Sequence, residues 1–100
     1  MSSFNLSQKA VEDLLDIGRY TTKIWGVSQR NKYLKQLDDC FSQLSQKPTL
    51  GIRCDYIVKG YRKFPQGSHM IFYKLSTKDV VEIIRILHKS MDVDSKLKNS

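Results

Sequence analysis

The sequence predicts an α+β fold in which an antiparallel αα-hairpin packs on one face of a mostly antiparallel sheet. Two successive runs in the first half space their apolar residues at three and four. The second half carries short alternating or continuous apolar runs broken by turn residues. Helices followed by strands, rather than alternating with them, pack as two layers. The 100 residues are one domain's worth of chain and bury roughly 65% of their unfolded surface, enough for one modest core.

Phe4-Asn5-Leu6 reads as a short N-terminal strand. Ser7 is a good N-cap, and Ala10, Leu14, Ile17, Thr21 and Ile24 then recur at helical steps, with Val11, Leu15 and Trp25 widening the stripe. This predicts a helix over 8–25, with Glu12, Asp13 and Asp16 as a solvated acidic face early in it and Gly26 as its stop. Ser28 is expected to cap a second helix, in which Tyr33, Leu34, Leu37, Phe41 and Leu44 form the apolar face until Lys47-Pro48 breaks it. Leu37 and Phe41 are expected in the core.

Residues 49–60 read as a loop or weak edge strand, because Ile52, Cys54, Tyr56 and Val58 alternate within a short stretch bracketed by glycines. Tyr61–Phe64 reads as a strand, Pro65-Gln66-Gly67 as a turn and Ser68–Leu75 as the returning strand. Ser76–Asp79 supplies another turn. The run Val80, Val81, Ile83, Ile84, Ile86, Leu87 is too apolar for one wet face and predicts the central strand. Residues 1–92 are expected to form a single domain and 93–100 a flexible tail.

Lys plus Arg number 17 against 10 Asp plus Glu, a formal charge of +7. Residues 1–46 hold six bases and five acids, whereas 47–100 hold eleven and five, so the positive field belongs to the second half. Such a field solubilises a small protein or attracts an acidic partner, nucleic acid or protein. Arg62, Lys63, Lys74, Arg85 and Lys89 fall on the predicted strands and their ends. With Tyr61 or Tyr73 among them they suit RNA phosphates and stacked bases, or simply the wet side of a sheet. Even spacing groups Arg85 with Leu87, and Ile84 with Ile86 and His88.

Most catalytic templates find no match. His69, His88, Cys40 and Cys54 lack metal-ligand spacing, so no metal is expected. Cys40 sits beside Phe41 on the core-facing side of its helix, and nothing marks Cys54 as a nucleophile. The five glycines are isolated, which argues against a nucleotide cofactor; none of any kind is expected. No apolar run is long enough to span a membrane, no export signal is present, and two cysteines suit a reducing cytoplasm.

One set of strings is specific. Gly60-Tyr61-Arg62-Lys63-Phe64 is followed by Gly67-Ser68-His69-Met70-Ile71-Phe72-Tyr73 and then by Ile84-Arg85-Ile86-Leu87-His88-Lys89-Ser90-Met91-Asp92. Leu6-Ser7, Asp13-Leu14, Asp16-Ile17, Tyr20, Trp25-Gly26 and Pro48 before Gly51 complete the pattern. Together these resemble the ParE family of type II toxin-antitoxin toxins, over about Phe4 to Asp92.

The resemblance implies a βααβββ fold of the RelE/ParE superfamily, the element order that periodicity predicts independently. It implies a toxin that poisons DNA gyrase by stabilising its cleaved DNA complex. It further implies an acidic ParD-like antitoxin that folds on binding, with operator DNA reached only through that antitoxin. The alternative is a RelE-like ribosome-dependent mRNA endoribonuclease. Those nucleases are similar to one another in carrying an arginine where this chain has Met70, and a tyrosine or histidine near the C-terminus. Here no tyrosine follows Tyr73, though His88 and Arg85 remain, so no enzymatic activity and no catalytic residues are expected. Antitoxin contacts are assigned to Trp25, Tyr61, Arg62 and Phe72, and gyrase contacts to His88, Lys89, Met91 and Asp92.

Overall fold

A computed structural model describes residues 3–98; residues 1–2 and 99–100, the ends of the expected domain and tail, lie outside the described residues. The elements run β1 (Phe4–Leu6), α1 (Gln8–Trp25), α2 (Val27–Gln46), a 3-10 turn (Pro48–Leu50), β2 (Ile52–Arg53), β3 (Tyr61–Gln66), β4 (His69–Leu75), β5 (Val81–His88) and α3 (Val93–Lys98). No described helix is long and apolar enough to cross a membrane.

Ser7 caps α1 as its sequence position predicts, its Oγ accepting from the Ala10 N–H at 3.0 Å. The same hydroxyl donates to the Ile84 carbonyl at 2.7 Å, tying the helix start to β5. Gly26 alone joins the helices. Its φ of 93° is in the region glycine occupies without strain. Its N–H donates to the Thr22 carbonyl at 3.0 Å and its carbonyl accepts from the Arg30 N–H at 3.1 Å, so one residue ends α1 and begins α2. Ser28 is therefore not the cap expected of it: it lies inside the first turn of a helix that begins at Val27.

The sheet has five strands in the order β1-β5-β4-β3-β2, with β1 parallel to β5 and the other pairs antiparallel. The apolar β5 is interior, as expected, but β4 holds the middle position. The β3–β4 turn is shorter than the Pro65-Gln66-Gly67 loop predicted. Pro65 pairs with Met70 and Gln66 with His69, leaving Gly67 and Ser68 as the turn. Proline is tolerated there because β2 pairs only with Arg62 and Lys63, so Pro65 lies on a free edge. The 49–60 segment resolves into the 3-10 turn, the two-residue edge strand and a loop.

Two cores flank the sheet. Under the helical hairpin lie Ala10, Ile17, Leu37, Phe41, Leu44, Ile71, Tyr73, Val81, Ile83 and Ile86; Leu37 and Phe41 are buried as the helical stripe predicts. On the other face, Cys54, Phe72, Ile84, Leu87 and Leu97 form a smaller cluster. This second core corrects two expectations. The segment from 93 is no tail through residue 98, because Leu97 on α3 is fully buried against Phe72 and Leu87. The even-spacing assignment of β5 faces also fails. Phe72 pairs with Arg85 and Tyr73 with Ile83, so Ile84 is the extra residue of a β-bulge, and Ile84 shares a face with Leu87 rather than with Ile86.

Candidate functional site

Helix α1 is amphipathic, yet its apolar arc is wider than the sheet can cover. Ala10, Ile17 and Thr21 turn inward, while on one flank Leu14, Leu15 and Gly18 meet Leu34 of α2 along a groove of about 620 Å³. The helices approach closely at Gly18, where an added Cβ would meet the Leu34 side chain at 3.7 Å, an ordinary van der Waals contact. Arg19, Lys23 and Arg30 edge the groove, making it apolar along its length and basic at its rim. Trp25, expected to contact a partner, stands at the end of the same helix with 70% of its surface exposed.

The opposite flank of α1 faces the end of β5. Ile17 and Tyr20 wall a pocket of about 390 Å³ whose far side is His69, His88, Ser90 and Met91. Tyr20 is 65% exposed and Met91 44%, so its mouth is largely apolar. The two imidazoles stack edge to face with centroids 5.5 Å apart. His69 Nδ1 lies 2.7 Å from the Tyr33 hydroxyl, which also donates to the Gln66 carbonyl at 3.0 Å. Burial, with the neighbouring His88 second, lowers the His69 pKa to about 4 and keeps that ring neutral at pH 7. The Ser90 N–H donates to His88 Nδ1 at 3.1 Å.

The predicted gyrase-facing set is thus gathered only in part. His88 and Met91 share the pocket. Lys89 lines a different groove on the outer face of the sheet. Asp92 is exposed, and its carboxylate accepts from the Ser95 N–H at 3.5 Å, capping α3.

The predicted antitoxin set is dispersed. Phe72 is 1% exposed and cannot serve as a docking anchor; its place in β4 directs it into the second core. Tyr61 is half-buried against that cluster, and Arg62 donates to the Gly51 carbonyl at 2.8 Å. Both line a small cavity between β3 and the 3-10 turn, in which Trp25 has no part.

Three of the strand-borne cations and aromatics have structural duties. The Arg85 guanidinium grips both oxygens of Asp13 at 2.8 and 2.9 Å, and Asp13 also accepts the Ile86 N–H at 3.0 Å. Asp13 is therefore not part of a solvated acidic face: it holds the edge of β5 beyond the reach of β1, where an open N–H is costly. Lys74 pairs with Glu82 at 3.6 Å. Tyr73, considered for base stacking, is buried; its hydroxyl donates to the Pro48 carbonyl at 2.7 Å and accepts from Gly51 N–H at 2.8 Å. Gly51 is required there, since any Cβ would collide with that hydroxyl.

Both cysteines are buried, and burial raises both thiol pKa values, so neither is a reactive thiolate; Cys54 is more enclosed than its loop position suggested. Among the described residues no cluster of three or more His, Cys, Asp or Glu is arranged to hold a metal. The α1–α2 groove and the part of Tyr20 in the β5 pocket were not singled out by sequence reasoning. The signal was present in the width of the α1 stripe, which exceeds what one packing face covers.

The family model described as ParE toxin of type II toxin-antitoxin system, parDE, matches residues 4–93. A curated relative, Toxin ParE1 of Mycobacterium tuberculosis, is 38% identical over 96 residues, covering 96% of this chain and 98% of that protein. The structure of a chromosomal ParDE system from P. aeruginosa aligns with a TM-score of 0.74 at 20% identity, over 88% of this chain and 96% of that one. The toxin-antitoxin complex RelBE2 from Mycobacterium tuberculosis contributes a second similar chain, with a TM-score of 0.61 at 18% identity over 88% and 98%.

Proposed function

The chain belongs to the ParE family of type II toxin-antitoxin toxins, and from that premise we propose that it poisons DNA gyrase in the cytoplasm, stabilising the cleaved gyrase-DNA complex, and is neutralised by an acidic ParD-like antitoxin. The antitoxin reading rests on the α1–α2 groove. A partner helix with an apolar stripe and acidic flanks complements a trough of Leu14, Leu15 and Leu34 rimmed by Arg19, Lys23 and Arg30. This replaces Phe72 as an anchor and keeps Trp25, exposed at the end of α1.

The observation that favours a non-enzymatic poison over an mRNA nuclease is the engagement of Arg85. Phosphodiester cleavage needs free cations where charge develops in the transition state, and this guanidinium is spent on Asp13. Met70, not an arginine, pairs with Leu87 on the neighbouring strand. Target contact is assigned to the end of β5, where His88 and Met91 open into the pocket with Tyr20.

The test is purified gyrase with supercoiled plasmid, titrated with the protein and then treated with detergent and protease. Dose-dependent linear DNA is expected, and His88→Ala/Lys89→Ala is expected to lose it while still binding antitoxin. Unchanged plasmid alongside cleavage of ribosome-bound mRNA would replace this reading with the nuclease.

A further inference from the structure

The basic cluster carried by the strands is thinned by folding, and what remains converges on one place. Arg85 and Lys74 are ion-paired and Arg62 is bound to the Gly51 carbonyl. Among the described residues, Lys63 and Lys89 form no ion pair. They lie on a common groove of about 440 Å³ across the face of the sheet opposite the helical hairpin. Its floor is Met70 over Phe72, and Val93 and Asp94 of α3 form one bank. Asp94 is the one acidic group lining it.

Tyr56 forms the other bank. Among the described residues it is the most exposed of the large apolar and aromatic side chains, at 72%. Its hydroxyl accepts from Lys63 Nζ at 3.0 Å, and that ammonium lies 5.8 Å from the ring centroid. An exposed aromatic ring held beside a lysine, with a second lysine across an apolar floor, is the arrangement by which proteins take a base on a π-face and its flanking phosphates on cations. We propose that this groove binds single-stranded nucleic acid, with phosphates on Lys63 and Lys89 and a base stacked on Tyr56. The net positive charge of residues 47–100 supplies the long-range attraction. The groove lies on the far face of the sheet from the α1–α2 trough, so it remains open when a partner helix fills that trough.

The probe is a fluorescein-labelled thymidine oligonucleotide of about 12 nucleotides, titrated by anisotropy with the full chain from about 50 to 200 mM salt. Saturable, salt-sensitive binding is expected. Tyr56→Ala should weaken it roughly tenfold. Lys63→Gln/Lys89→Gln should lower the slope of log affinity against log salt by about 1.4, two contacts at about 0.7 each. The charge-matched control Lys35→Gln/Lys47→Gln, on α2 and its end, should leave that slope unchanged. Circular dichroism confirms that each variant is folded.

No binding at low salt, or equal losses in the control, would overturn the proposal. So would variants that lose an acidic antitoxin peptide but keep the oligonucleotide, since the groove would then be a protein site. The gyrase assay separates the two readings. Plasmid linearisation without oligonucleotide binding sinks the groove alone, and binding without linearisation sinks gyrase poisoning alone.

Discussion

The two faces of the sheet are covered in different ways. Over one lie the 18 residues of α1 and the 20 of α2, continuous helices whose stripes fill a core from Ala10 to Leu44. Over the other lie a six-residue helix and the irregular 54–60 segment, which meet the sheet mainly through Cys54 and Leu97. A long helix buries several turns against the sheet cooperatively, whereas a short one is marginal by itself and depends on one or two anchors. The well-covered face carries stability and turns its surplus apolar surface outward along α1. The thinly covered face leaves an open groove whose two lysines form no ion pair.

Substitutions should grade along this contrast. Phe41→Ala, beneath the hairpin and 2% exposed, should cost about 4 kcal/mol of unfolding free energy through transfer and cavity terms, read from denaturant melts. An unchanged melt would refute the assignment of the main core. Asp13→Ala removes the partner of a largely buried arginine and orphans the Ile86 N–H. It should cost about 3 kcal/mol, and a loss under 1 kcal/mol would mean water replaces the carboxylate.

Leu97→Ala should cost only about 2 kcal/mol, because the short α3 can shift to fill the space. A penalty equal to that of Phe41→Ala would erase the distinction between the faces.

A further effect is one of pH. The unfolded chain protonates His69 from about pH 6.5 downward, whereas the folded chain resists until about pH 4. Between those values the unfolded state binds more protons, so stability falls as pH is lowered through the window and levels off below it. The variant His69→Gln should show a flatter profile than the native chain in melts at pH 7 and pH 4.5. Parallel profiles would mean the ring is already solvated in the folded state.

Both ends of α1 and the stop of α2 were readable because their signals are local: Ser7 caps α1, Gly26 ends it, and Pro48 follows α2 within two residues. The candidate site was less so. Trp25 and Phe72 are both large aromatics on apolar runs, yet one is 70% exposed and the other 1%. Periodicity places a side chain on a face but does not say whether another element covers that face. Val93 and Leu97 show the same limit, since their segment has too few residues to carry a helical pattern and gains order only where Phe72 and Leu87 receive it.

The sequence by itself determined the α+β order, the hairpin and the main core, all of which follow from spacing along the chain, and it carried the strings that resemble the family. Tertiary structure decided the rest: that Asp13 reaches across to Arg85 and Ile86, that a bulge at Ile84 reassigns the faces of β5, and that Lys63 and Lys89 stay out of ion pairs while Arg85 and Lys74 do not. Asp13 and Arg85 are separated by 72 positions in the chain. No local pattern encodes which charge meets which across such a distance, because the pairing exists only once the sheet has brought the two elements together.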